Sequence, residues 1–143
     1  MPVATDSKVE LMRWKDEYSV KIKHIDDQHK GLVKLVNELH VAMLTGRAKD
    51  SLSSILSQLV TYTKAHFTTE EVLMQAHRYP ELVAHKAEHE RLTAQALEFQ
   101  KEFAAGRAML SLEVLNFLKN WLTNHIQGTD QKYSPFLNGK GIR

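Results

Sequence analysis

The chain has 143 residues, a quarter of them charged, with a formal charge of +2 and no cysteine. That length builds one continuous core without staples, and the missing thiols exclude disulfides, thiolate metal sites and a cysteine nucleophile. Lysines and arginines scattered among acids leave no concentrated basic face for nucleic acid, and Met1 to Lys15 holds no apolar run that reads as a signal or a membrane span; the expectation is a cytoplasmic monomer that contacts no membrane.

Residues 1–20 read as an N-terminal arm whose large apolar anchors are Leu11, Met12, Trp14 and Tyr18, with Trp14 docking on the core. Asp26 is the expected N-cap of a first helix that carries His29, Leu32, Val36, Leu39 and Met43 on one face and ends at Thr45-Gly46. Asp50 or Ser51 caps a second helix. Its seam runs Leu52, Leu56, Leu59, Thr63, His66, Glu70, Leu73, His77 and stops before Pro80. Pro80-Glu81 starts a third, with Leu82, His85, His89, Leu92, Ala96, Phe99 and Phe103 on the seam and Gly106 at its close. Ser111 caps a fourth, whose seam is Leu115, Leu118, Leu122 and His125, running on to Asp130. Residues 133–143 read as an irregular tail.

Four amphipathic helices with short connections predict an all-α, up-down-up-down antiparallel four-helix bundle over residues 21–132, within a single domain spanning 1–143. That topology puts the first start, the second end, the third start and the fourth end at one end of the bundle. His29, His66 with Glu70, His85 with His89, and His125 all fall at that end, on core-facing positions where leucines belong. A buried carboxylate needs a partner. Five imidazoles and a carboxylate exceed what one tetrahedral ion uses, so two metals are inferred, held by nitrogen and oxygen. Such a set suits iron, zinc or copper better than magnesium or calcium, and spacing does not choose among them. Asp130 is the expected second bridging carboxylate, although five residues from His125 is about 140° off the same helix face. Gly128 between them is expected to let the helix end unwind.

His29 after Ile25-Asp26-Asp27-Gln28, the run His66-Phe67-Thr68-Thr69-Glu70-Glu71 with Met74, Tyr79-Pro80, the pair His85 and His89, and His125 with Asp130 together resemble the hemerythrins, in their bacterial branch. The resemblance runs from Trp14 to about Tyr133. It implies two iron ions per chain, cycling between ferrous and ferric, with His85, His89 and His125 on one and His29 and His66 on the other. Glu70, Asp130 and an oxo or hydroxo group would bridge them. Three histidines and three bridges fill six positions on the first iron, and the second keeps one open for dioxygen. The implied function is reversible dioxygen binding for carriage, storage or delivery, and not an enzymatic reaction. Trp121, Leu122, Ile126 and Phe67 are implied to line the dioxygen pocket.

His40 and His77 each lie eleven residues from a candidate ligand, about 16 Å along a helix axis, and are read as ordinary core residues. His24 is placed before the first helix and solvated. Glu71 and Glu88 are assigned to solvated faces. Two other functions fit the same centre: oxygen or redox sensing through a separate partner, and peroxide or nitric oxide chemistry. No glutamate-x-x-histidine pair and no His-Glu-x-x-His motif point to a ferritin-like oxidase or a metalloprotease.

Overall fold

The computed structural model describes residues 11–46, 49–106 and 112–143. Four long helices follow an arm that makes one 3-10 turn at Asp16–Tyr18: α1 (Lys23–Leu44), α2 (Lys49–Ala76), α3 (Leu82–Ala104) and α4 (Leu112–Asn124). A π-type turn at His125–Thr129 and a 3-10 turn at Asp130–Lys132 then lead into a short α5 (Ser134–Gly139). Among the described residues there is no strand, and no helix is long and apolar enough to cross a membrane.

Gln28 near the start of α1 meets His66 and Thr69 late in α2, Glu71 meets His89 early in α3, and the rings of His85 and His89 lie beside that of His125 beyond α4. Consecutive helices therefore run antiparallel, as expected from their short connections. The interior divides in two. Leu32, Val36, Leu39, Leu56, Leu59, Phe67, Leu92, Phe103, Leu115, Leu118 and Leu122 belong to a large apolar cluster, while Val20, Ile22, Ile25, Met74, Tyr79, Tyr133 and Leu137 form a smaller one at the other end. Along each of the four arms of the bundle the buried histidines and carboxylates fall where the chain passes from one cluster to the other, so a polar layer separates them.

Several element boundaries differ from the sequence reading. The first helix begins at Lys23, not at Asp26, so His24 lies inside its first turn, exposed. Asp26 is instead a clamp on the incoming arm, its carboxylate accepting from the Val20 N–H at 2.9 Å and the Ser19 hydroxyl at 2.5 Å. Asp50 and Ser51 lie within α2. Glu81 flanks α3 as its N-terminal neighbour, and Gly106 closes that helix at a φ of +76°, a left-handed value glycine adopts without a side-chain clash. Ser111 lies outside the described residues.

The arm is tied down by one side chain. Asn37 Oδ1 accepts from the N–H groups of Leu11 and Met12, at 3.0 and 2.9 Å, and its Nδ2–H donates to Met12 O at 2.7 Å. Met12 is buried in the larger cluster and Trp14 packs partly buried against it, under the ammonium of Lys30. Gly31 marks a close approach of α1 to α2, since a Cβ there would stand 2.2 Å from the Tyr62 hydroxyl.

The tail was expected to be irregular and is not. Pro135 sits in the first turn of α5, where its fixed φ suits a helix and its missing N–H costs no bond. Tyr133 and Leu137, four residues apart, put two apolar groups on the face that closes the smaller cluster. Ser134 donates to the Val20 carbonyl at 2.6 Å, joining tail to arm.

Candidate metal centre

His29, His66, Glu70, His85, His89, His125 and Asp130 all lie in one layer, each at most 4% exposed. Their ligand-type atoms form two overlapping groups. Glu70, His85, His89, His125 and Asp130 make one, and His29, His66, Glu70 and Asp130 the other, with the atoms of each group within 4.8 Å of one another. Glu70 and Asp130 are common to both.

Asp130 spans the two groups with different oxygens: Oδ2 is 2.8 Å from His29 Nε2, and Oδ1 is 3.1 Å from both His85 Nε2 and His125 Nε2. Glu70 turns Oε1 inward, 3.0 Å from His66 Nε2, 3.4 Å from His89 Nε2 and 3.6 Å from His125 Nε2. Close as they are, these atoms do not aim at one another. All five Nε2 atoms, Glu70 Oε1 and both Asp130 oxygens are buried without a hydrogen-bond partner. So many unsatisfied polar atoms in one buried layer would be costly in a metal-free protein, and their convergence on shared points is what a pair of cations satisfies. The residues present therefore fit two metal ions of a kind that accepts both imidazole and carboxylate.

A five-residue step carries Asp130 back over His125. The turn His125–Thr129 is of π type, and the Asp130 N–H donates to the His125 carbonyl, a hydrogen bond across five residues that lines up positions five apart. The expected unwinding at Gly128 does not occur: the described glycines with positive φ are Gly46, Gly106 and Gly141. The helix widens by one residue per turn instead.

Charge follows the same layout. Burial alone would raise Glu70 towards protonation, but the neighbouring His66 and His125 outweigh it and hold the carboxyl well below its usual range. Burial and the Glu70 charge push Asp130 up, and His125 with His29 outweighs both, leaving it ionised. Burial pulls His125 down, yet Asp130 and Glu70 push it up to about 10. His66 goes the other way, because burial exceeds the pull of Glu70. Two buried carboxylates are thus held ionised in the interior, a layer that draws cations.

The sign of the pH dependence is different for the two kinds of group. The raised His125 stabilises the metal-free fold fully below its ordinary 6.5 and loses that contribution as pH rises through about 10. The depressed carboxylates stabilise above their ordinary 4.5 and 3.8 and lose it on acidification. The lowered His66 contributes in full only above its ordinary 6.5, so the metal-free chain is expected to show its highest urea midpoint near pH 6.5. Metal loading at pH 8 must displace the His125 proton, so titration calorimetry in buffers of differing ionisation enthalpy should report at least one proton released per chain; no release would show His125 already neutral.

The outer nitrogens of two histidines have partners that the sequence reading missed or misplaced. His66 Nδ1 faces Gln28 Oε1 at 2.6 Å. His89 Nδ1 faces Glu71 Oε2 at 2.7 Å, so Glu71 is not a solvated-face residue; its side chain is 24% exposed. Glu88 does hold an outward role, paired with Arg91. Tyr133, read as part of a structureless tail, is buried and donates its hydroxyl to Glu70 Oε2. Its phenol is held well above the ordinary range by burial and by the Glu70 charge. Tyr133→Phe leaves that carboxylate oxygen unpaired in the interior, and urea unfolding should show a loss of roughly 1–3 kcal/mol. An unchanged midpoint would mean water takes the hydroxyl's place.

Phe67 stacks on His89 with ring centroids 3.9 Å apart and planes 3° apart, and meets His125 edge-on at 5.0 Å. Trp121, Leu122 and Ile126 are buried in the same apolar cluster as Phe67. His40 is buried elsewhere on α1 and belongs to neither ligand group, and His77 is half-buried just past α2.

A family model, the hemerythrin HHE cation binding domain, matches residues 20–137. A bacteriohemerythrin of Methylococcus capsulatus is 37% identical over 90% of this chain and 98% of its own length, and one of Stenotrophomonas maltophilia is 37% identical over 87% and 80%. A myohemerythrin of Theromyzon tessulatum is 32% identical over 90% and 95%. A crystal structure of wild-type hemerythrin superposes with a TM-score of 0.83 at 38% identity, covering 89% of this chain and 98% of that one. The family model covers the bundle and runs into α5, and the chain belongs to the hemerythrin family, dioxygen-binding proteins with a non-haem di-iron centre and not enzymes.

Proposed function

We propose that His85, His89 and His125 hold one iron, that His29 and His66 hold the other, and that Glu70 and Asp130 bridge the two. What carries this reading is the pair of overlapping ligand groups that share those two carboxylates. An iron pair held by these residues would supply the reversible electron transfer that dioxygen binding needs. One group offers three imidazoles and the other two, so His29 and His66 would leave their ion with fewer protein donors and the more room for dioxygen.

The rest is the work of this chain's own side chains. Asp130 reaches each group with a separate oxygen, and Tyr133 fixes the orientation of Glu70 by occupying Oε2. Gln28 Oε1 accepts the Nδ1 proton of His66, and Glu71 that of His89, which turns each Nε2 lone pair inward. Phe67, Trp121, Leu122 and Ile126 line the site with apolar surface and keep bulk water out, which slows oxidation of the ferrous pair. No side chain is needed as a general acid or base. The biological use is carriage, storage or delivery of dioxygen in the cytoplasm.

The test is anaerobic reduction of the purified chain with metal analysis, followed by admitting and removing oxygen while the visible spectrum is recorded. Two irons per chain and a charge-transfer band that comes and goes with oxygen are expected. Zinc in the site, or iron that oxidises irreversibly with no oxygenated stage, would overturn the reading.

A further inference from the structure

The five inward-facing imidazoles differ in what holds their outer nitrogens. His89 Nδ1 rests on a carboxylate, Glu71, at 2.7 Å. His66 Nδ1 rests on a neutral amide, Gln28, at 2.6 Å. The Nδ1 atoms of His29 and His125 are buried without a hydrogen-bond partner, and His85 borders a cavity of about 230 Å³ lined by Tyr79, Glu81, Glu88 and Lys132. Glu71 itself reaches a surface groove of about 450 Å³ between α2 and α3, whose floor is the buried Phe67 and His89. One anionic partner therefore serves the three-histidine group, and one neutral partner serves the two-histidine group.

That difference has an electronic consequence. A carboxylate drawing on the Nδ1 proton gives the ring imidazolate character and makes Nε2 a stronger donor, and its negative charge also favours a more highly charged ion nearby. An amide oxygen does neither to the same degree. We propose that Glu71, acting through His89, makes the iron held by His85, His89 and His125 the easier of the two to oxidise, so that a chain that has lost one electron keeps its other, dioxygen-accepting iron ferrous. Glu71 is thus a positioning residue for redox state, and Gln28 its deliberately weaker counterpart. The inference rests on the ligand assignment proposed above.

The balance is simple. Ferricyanide takes one electron from the ferrous pair and becomes ferrocyanide, leaving one ferrous and one ferric ion, and no bond to the protein forms or breaks. The experiment is an anaerobic potentiometric titration of the iron-loaded chain, with iron content and unfolding midpoint measured for the wild type and each variant. Glu71→Gln should lower the preference for ferric over ferrous iron about tenfold, which raises the first midpoint potential by about 59 mV for one electron. Gln28→Glu should lower the second midpoint potential, that of the two-histidine iron. The double exchange should move the ferric ion of the half-oxidised state to the two-histidine side, read as altered Mössbauer doublets and electron-spin resonance. If Glu71→Gln sheds iron, Glu71→Asp keeps a carboxylate and should restore the wild-type potential.

An unmoved first potential in Glu71→Gln, with a wild type that holds two irons and binds oxygen reversibly, would overturn this inference alone, whatever happens to the unfolding midpoint. A wild type holding fewer than two irons would overturn the ligand assignment and the inference with it.

Discussion

Glu70→Ala is expected to leave fewer than two irons per chain after dialysis against a chelator that leaves the wild type loaded. Glu70 belongs to both ligand groups, so its loss removes a ligand from each at once. Partners one shell further out cost about 10- to 100-fold in metal affinity when removed, and a shared direct ligand should exceed that. The loss also strands the Tyr133 hydroxyl in the interior and takes away a charge that helps hold His125 protonated. The effect is local to the layer, which His40→Ala shows by contrast. His40 belongs to neither group, and its removal should leave iron content unchanged. Full retention of both irons in Glu70→Ala would refute the bridging role, and loss of iron in His40→Ala would show that the metal layer extends further down α1 than the geometry indicates.

Leu122→Ala should be both less stable and quicker to oxidise. Leu122 is fully buried, one residue from Trp121 and three before His125, within the apolar cluster that includes Phe67. Trimming a buried leucine to alanine removes its transfer energy and leaves a cavity, together roughly 2–5 kcal/mol. A dry cavity stays dry only when its walls are apolar. Here one wall is the polar layer, so water gains a foothold beside the irons and the oxygenated form should convert faster to the inactive diferric form. Leu122→Met conserves volume and should cost under about 1.5 kcal/mol with little change in oxidation rate. Urea unfolding and the decay of the oxygenated band measure the two effects separately, and an unchanged decay in Leu122→Ala would leave this residue a packing role only.

The bundle was legible because its helices carry three-four periodicity over long runs, and because antiparallel topology fixes which ends meet. The layer was legible for the same reason, since histidines on core positions had to share a height. What the sequence concealed depends on contacts between elements. Glu71 points off the seam of its own helix, and only the approach of α3 shows that His89 waits there. Tyr133 lies among proline and glycine residues that look like loop, yet two apolar groups four apart close a cluster that exists only once α2 is in place. Asp26 resembles a cap by type and position, but its partners Ser19 and Val20 lie in the preceding arm, and the helix has already begun at Lys23. The approach of Asp130 to the site was foreseen, while its means was not. A glycine suggests a break, whereas a wide turn leaves no mark in residue type.

The wide turn after α4 acts as a phase shifter. Each residue of a regular helix turns the chain by about 100°, so one residue more or less before Asp130 rotates all that follows by that amount. Two side chains of the site depend on the setting, Asp130 at the turn's end and Tyr133 three residues on. A single-residue deletion within 126–129 would let the helix run on regularly, with its hydrogen bonds intact and its composition almost unchanged. It would nonetheless swing a bridging carboxylate and its neighbour's phenol away from the layer together. In this family's chain, the count of residues between His125 and Asp130 is as much a part of the metal site as the ligands themselves.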